Sequence, residues 1–164
     1  MGAQDSTDTK WLTEAQQDAW RTLVALVTRL PAALDTQLQR DSDLTHFEYF
    51  VLAVLSEAAD RRMRLSELAC QANASLSRLS HVVTRLEKRG WVRRESVAGT
   101  RGAFAVLTDD GMAKVVSSAP GHVETVQALV FEGLDDEQVA QLSSLGQALV
   151  DQLDKGIAAG TGKA

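Results

Sequence analysis

Between Ser75 and Leu107 the hydrophobic pattern changes period once, and that change limits what the chain can become. Leu76, Leu79, Val82, Val83 and Leu86 recur at helical spacing and share one face. Gly90 stops the pattern, as a glycine just past a helix end does. Two short runs of strand-favouring residues follow, Trp91–Val92 and Phe104–Val106–Leu107, around a tip that holds Gly99 and Gly102. Trp91, Val92, Phe104, Val106 and Leu107 are expected to pack part of this hairpin on the core. A helix that runs straight into a hairpin, behind two shorter helices, is the order of a helix-turn-helix with a two-stranded wing.

The rest of the chain is helical by pattern. Thr13 and Gln16 have capping-box spacing and predict a first helix to about Arg40, with Trp20, Leu23, Val24, Val27, Leu30, Leu34 and Leu38 on its stripe. Pro31 inside that stripe predicts a kink or a division. Thr45 and Glu48 repeat the capping box and open a second helix over 45–59, with Phe47, Phe50, Val51, Val54 and Leu55 inside. Asp60, Arg61 and Arg62 read as a polar break. Ser66 is the expected cap of a short helix from Glu67 to Ala72, and Ser75 the cap of the next. Thr108, Asp109 and Asp110 signal a helix over 109–131, with Pro120 as a kink and Gly133 as its end. Asp135, Asp136 and Glu137 start a last helix striped by Val139, Leu142, Leu145, Leu149 and Leu153. Residues 1–9 and 156–164 read as a disordered and a flexible tail.

The fold class expected is therefore mainly α with a small β-hairpin wing. The divisions are 10–44 for an N-terminal dimerisation helix, 45–112 for the winged helix-turn-helix and 113–155 for C-terminal dimerisation helices. The end helices carry apolar stripes too long for so small a centre to bury, which asks for a partner. A symmetric homodimer is the economical one.

The net charge of −5 is unevenly spread. Arg61 to Arg101 holds ten Lys/Arg against three Asp/Glu, and the remainder seven against nineteen. Such segregation is the footprint of a polyanion-binding module in an acidic frame, or of a solvated basic face with no partner. The helix after Ser75 favours the first. Opposite its apolar face stand Ser77, Arg78, Ser80, His81, Thr84, Arg85, Lys88 and Arg89, with no acid before Glu87. Small hydroxyls allow close approach to a groove, and an arginine can take guanine O6 and N7 with two bonds. An ordinary surface helix would interleave glutamate with lysine. Arg61, Arg62 and Arg64 suit phosphates or open solvent equally well.

The stretch LSELACQANASLSRLSHVVTRLEKRGWVRRE, followed by GTRGAFAVLTDDG, resembles the MarR family of winged helix-turn-helix transcriptional regulators. The resemblance is strong over about 45–112. Its specific marks are Leu-Glu-x-x-Gly-x-Val-x-Arg and the downstream Leu-Thr-x-x-Gly. It implies a homodimer on pseudo-palindromic double-stranded operator DNA, usually as a repressor, often released by a small aromatic or phenolic effector or by thiol oxidation. The DNA contacts expected on this basis are Ser75, Ser77, Arg78, His81, Thr84, Arg85 and Arg94, with Arg101 entering a minor groove from the wing tip. One departure stands out: the family's wing usually carries an Asp two residues before that arginine, and here the position is Gly99.

The resemblance also implies an effector site between the dimerisation helices and the DNA-binding lobe, which makes Trp20, Leu23, His46, Phe47 and Phe50 the candidate lining, against the plainer reading of Trp20 and Phe47 as core. Urate-responsive relatives carry an acid where Phe50 stands, which argues against urate. The lone cysteine, Cys70, offers a thiol-sensor alternative but occupies a place where a small buried residue is wanted. A second alternative is a small-molecule-binding protein that has lost DNA recognition. His46, His81 and His122 lack ligand spacing, and no nucleotide-binding loop or nucleophile elbow is present, so neither an enzyme, a metal site nor a cofactor is expected. The unpaired cysteine, the polar start and the absence of a long apolar run predict a cytoplasmic protein without a membrane span.

Overall fold

The computed structural model describes residues 9–96 and 102–160. It divides into two compact units, one up to Ser118 and one from Ala119. In the first, helix α1 (Glu14–Ser42) is followed by α2 (His46–Glu57), strand β1 (Arg62–Arg64), α3 (Leu65–Gln71), α4 (Leu76–Lys88), β2 (Val92–Ser96), β3 (Ala103–Leu107) and the start of α5 (Asp109–Val126). The second holds the rest of α5, a π-helical turn over Gln127–Phe131 and α6 (Asp136–Ala158). No helix is long and apolar enough to cross a membrane among the described residues.

Both capping boxes form. The Thr13 hydroxyl accepts from Gln16 N–H while Gln16 reaches back, and Thr45 and Glu48 do the same at α2. Asp135 caps α6 in the same way. Pro31 does not divide α1, which runs as one helix, and α5 continues through Pro120. A proline within a long helix removes one donor, and the flanking turns keep their bonds. Leu34 and Leu38 of α1 are buried, whereas Trp20, Val24 and Val27 on the same stripe are exposed. The core draws on α2, α3, α4 and the sheet, with Leu52, Leu55, Leu68, Leu79, Val83 and Leu86 fully buried. Each such side chain contributes on the order of 1.5–3 kcal/mol.

Several local expectations are corrected. The segment read as a polar break leads directly into β1, a strand the pattern did not predict, so the sheet has three strands in the order β1-β3-β2, all antiparallel. β1 starts at Arg62, whose Cα lies opposite Val106. Helix α3 begins at Leu65 with Arg64 before it and no side-chain cap, so Ser66 lies inside the helix. Phe47 and Phe50 are half-buried, and Tyr49 and Leu52 take the inward positions of α2. Leu76 does not dock on the core but is 53% exposed. α6 continues through Gly156 to Ala158, so helix occupies the first residues of the stretch read as a tail.

The two motifs of the family resemblance meet at one point. α4 ends in a Schellman motif: Trp91 N–H donates to Leu86 O, Gly90 N–H donates to Glu87 O, and Gly90 has φ +75°. Val92, two residues on, is buried. Thr108 then clamps this exit. Its N–H donates to Trp91 O, its hydroxyl donates to Gly90 O at 2.7 Å and accepts from Gly111 N–H at 3.0 Å. A Cβ on Gly111 would stand 2.1 Å from Trp91 O, so only glycine lets the first turn of α5 approach. The spacing Leu-Thr-x-x-Gly is thus the spacing of a lock on the end of α4.

Candidate nucleic-acid interface

The surface with the chemistry for a polyanion is the outward side of α4. Ser75 caps it, accepting from Arg78 N–H at 3.2 Å, and no acid occupies its first turn. Leu79, Val82, Val83 and Leu86 anchor it. Ser75, Ser77, Arg78, His81, Thr84 and Arg85 are all exposed, together with Lys88 and Arg89. The structure therefore brings six of the residues singled out in the sequence onto one exposed side of one helix. Arg101 and Gly99 lie outside the described residues.

Arg94 behaves differently. Its guanidinium turns back to α4, where it pairs with Glu87 and donates through Nη2 to Ser80 O at 2.8 Å, Ser80 Oγ at 3.2 Å and Thr84 Oγ1 at 3.1 Å. Glu87 also accepts Arg94 N–H at 2.9 Å. The Glu and the Arg of Leu-Glu-x-x-Gly-x-Val-x-Arg are therefore two halves of one brace, which fixes the wing's first strand against α4. Thr84 is part of it, since its hydroxyl also donates to Ser80 O. Ser80 is consequently half-buried rather than open.

A second brace was not foreseen. Glu48 is buried, its side chain only 7% exposed, and a buried carboxylate needs donors. It takes them from Thr45 N–H at 2.9 Å, Thr45 Oγ1 at 3.0 Å and Arg85 Nε at 3.0 Å. Thr45-x-x-Glu48 signalled the cap, but nothing in the spacing told that the same carboxylate reaches a side chain thirty-seven residues on. Arg85 keeps 57% of its side chain exposed. Its Nε is held by a buried carboxylate while more than half of the side chain stays open, so the guanidinium is positioned without being hidden.

Several of the neighbouring arginines have partners. Arg89 donates to Asp43 O at 2.6 Å, pairs with the Asp43 carboxylate and stacks on Trp91. Arg61 pairs with Asp109, and Arg62 with Glu95. Arg62 and Arg64 lie 4.1 and 5.0 Å from the centroid of the Phe104 ring. Such stacking shields an aromatic on the outer side of the sheet.

Arg78 lies over the Phe47 ring at 4.6 Å. This pair is shared by two open cavities. One, about 610 Å³, runs along the outward side of α4 past Ser77, His81 and Arg85. The other, about 530 Å³, lies between α1, α2 and the turn after α3, against Pro31, His46, Phe50 and Asn73. Of the candidate effector residues, His46, Phe47 and Phe50 are gathered here. Trp20 and Leu23 do not line it, and Trp20 is exposed rather than core. Partial burial lowers the His46 pKa below its ordinary value, against the opposing charge of Asp35, whose carboxylate accepts His46 N–H at 2.8 Å. Cys70 is exposed on α3, so the buried place expected for it belongs to its neighbour Ala69.

Comparisons with known proteins agree with this geometry. The MarR family profile matches residues 44–97. The chain is 43% identical to Sco3205, a MarR family transcriptional regulator from Streptomyces coelicolor solved in complex with DNA, over 90% of this chain and 92% of that one, with a TM-score of 0.84. It is 38% identical to AbsC, another MarR family regulator of Streptomyces coelicolor, over 90% and 99% of the two chains, with a TM-score of 0.82. The HTH-type transcriptional repressor YetL of Bacillus subtilis (strain 168) is 27% identical over 63% of this chain, and the match spans 62% of that repressor's length.

Proposed function

The chain belongs to the MarR family of transcriptional regulators, and from that premise we propose that it binds a pseudo-palindromic operator in double-stranded DNA as a homodimer and represses transcription there. The observation that carries the proposal is the acid-free outward side of α4, where Ser77, Arg78, His81 and Arg85 stand exposed on a helix braced from two sides. Two copies related by a two-fold axis would offer two such helices to successive major grooves, about one helical turn apart. Wing residue Arg101 is proposed to reach the adjacent minor groove.

The dimer rests on apolar surface that the single chain leaves open. Trp11, Leu12, Trp20, Val24 and Val27 are exposed in and before α1, and Leu142, Leu145, Leu149, Leu153 and Ile157 along α6. The helices within 10–44 and 113–155 are the proposed dimerisation elements, and 45–112 the DNA-binding region. The repressor role is supported by the likeness to the transcriptional repressor YetL and by the family.

The 530 Å³ cavity suits a small aromatic or phenolic effector: Phe47 and Phe50 offer ring faces, Arg78 and Asn73 polar groups. Because Arg78 and Phe47 border both this cavity and the groove along α4, an occupant there would compete for the arginine that reads DNA. Release is then a shift of population away from the DNA-competent dimer.

The test is binding to DNA from immediately upstream of the protein's own coding sequence, over a salt series, with random DNA as competitor. Competitor-resistant binding that weakens as salt rises is expected, and Arg78→Ala should weaken it by at least tenfold, since a good bidentate base contact contributes about 1–3 kcal/mol. If Arg78→Ala and Arg85→Ala both bind as the parent does at low salt, the proposal fails and a protein that has lost DNA recognition takes its place.

A further inference from the structure

Leu76 is the first residue of α4, flanked by Ser75 and Ser77, and 53% of it is exposed. A single exposed leucine elsewhere on a protein needs no explanation. This one stands in the first turn of the helix assigned above to the major groove, and the first turn is the part of such a helix that meets base edges. By helical spacing it lies on the border of the anchored side, next to Ser80 rather than opposite it. It opens onto a cavity of about 360 Å³ bounded by Arg64, Ser66, Ser80, Gly102 and Ala103, between the helix and the wing. Its two serine neighbours are short, so its branched side chain reaches beyond them.

In the floor of a major groove only one group complements a branched apolar side chain, the C5-methyl of thymine. Every other edge offers donors or acceptors, which a leucine would leave unpaired. We propose that Leu76 is a specificity-determining residue that reads a thymine methyl in each operator half-site. The inference rests on the DNA-binding proposal and adds to it one base and the atom by which that base is read.

The experiment is a scan of the selected operator in which each symmetric pair of thymines is replaced by deoxyuridine, which removes the methyl and keeps every hydrogen-bonding edge. The parent protein is expected to lose roughly fifteenfold in affinity at one symmetric pair and little elsewhere, the contribution of about one buried methyl in each half-site. Leu76→Ala should bind the thymine and deoxyuridine operators equally, and Leu76→Met, which keeps apolar reach, should retain part of the discrimination. Thermal unfolding of both variants at the parent's midpoint keeps the comparison on the interface. Parent binding that is indifferent to deoxyuridine at every position overturns the proposal, as does an undiminished deoxyuridine penalty in Leu76→Ala. In both cases tight, salt-dependent operator binding that Arg78→Ala weakens leaves the DNA-binding proposal standing. A parent that binds no operator removes both.

Discussion

Arg94 separates a brace from a phosphate contact, because the two roles predict opposite results for one substitution. In Arg94→Ala the wing loses a charge-assisted pair with Glu87 and three donations, to Ser80 O, Ser80 Oγ and Thr84 Oγ1. Hydrogen bonds to charged groups contribute about 1.5–3 kcal/mol each in a protected site. Both side chains here are 27% exposed, so water replaces part of what is lost. Glu87 keeps the backbone N–H of residue 94 as a donor, which limits the penalty further. The balance is about 2 kcal/mol of stability, or roughly 4–8 °C in Tm for a chain of this size at fixed protein concentration. Lysine should not restore it, since an ammonium cannot span the carboxylate and three α4 oxygens with a planar fork. Chemical unfolding of Arg94→Ala, Glu87→Gln and the double variant is the assay, with a coupling of about 1 kcal/mol or more expected from the cycle. A phosphate-contacting arginine would behave otherwise: stability unchanged, and the salt dependence of DNA binding reduced by about one per site. That pair of results would refute the brace.

Gly111→Ala should cost about 3 kcal/mol, because the new methyl meets a backbone carbonyl that already accepts Thr108 N–H; a urea midpoint lowered at unchanged slope is the expected result, and a change under ~0.5 kcal/mol would contradict the close approach. His46, with its pKa lowered by burial, binds fewer protons folded than unfolded once the pH falls below its ordinary value. Its contribution to stability is therefore complete above about pH 6.5 and is lost as the pH falls toward the folded pKa, so His46→Gln should flatten that part of the stability–pH curve, and an identical slope in parent and variant would count against the desolvation.

What the sequence disclosed was the part governed by short spacing. Thr13–Gln16, Thr45–Glu48 and Ser75 announce their helices because caps act within one turn. The helix order and the exposed side of α4 followed from periodicity. β1 escaped notice because it has three residues, two of them arginine, and its pairing partner lies about forty residues downstream. Leu76 has the right period for the core but sits where the helix begins, before the neighbouring elements can cover it. The Glu48–Arg85 pair is long-range, and no spacing rule reaches it. The Glu87–Arg94 pair was visible as a motif without its reason, which is the turn at Gly90 that folds position 94 back over position 87.

The most direct measurement is selection of bound duplexes from random-sequence DNA by the purified full chain at physiological salt. An enriched inverted repeat whose half-sites lie about one helical turn apart is the expected result, lost when the selection is repeated with Arg78→Ala. No enrichment over the starting pool, or enrichment of a sequence without two-fold symmetry, would contradict it.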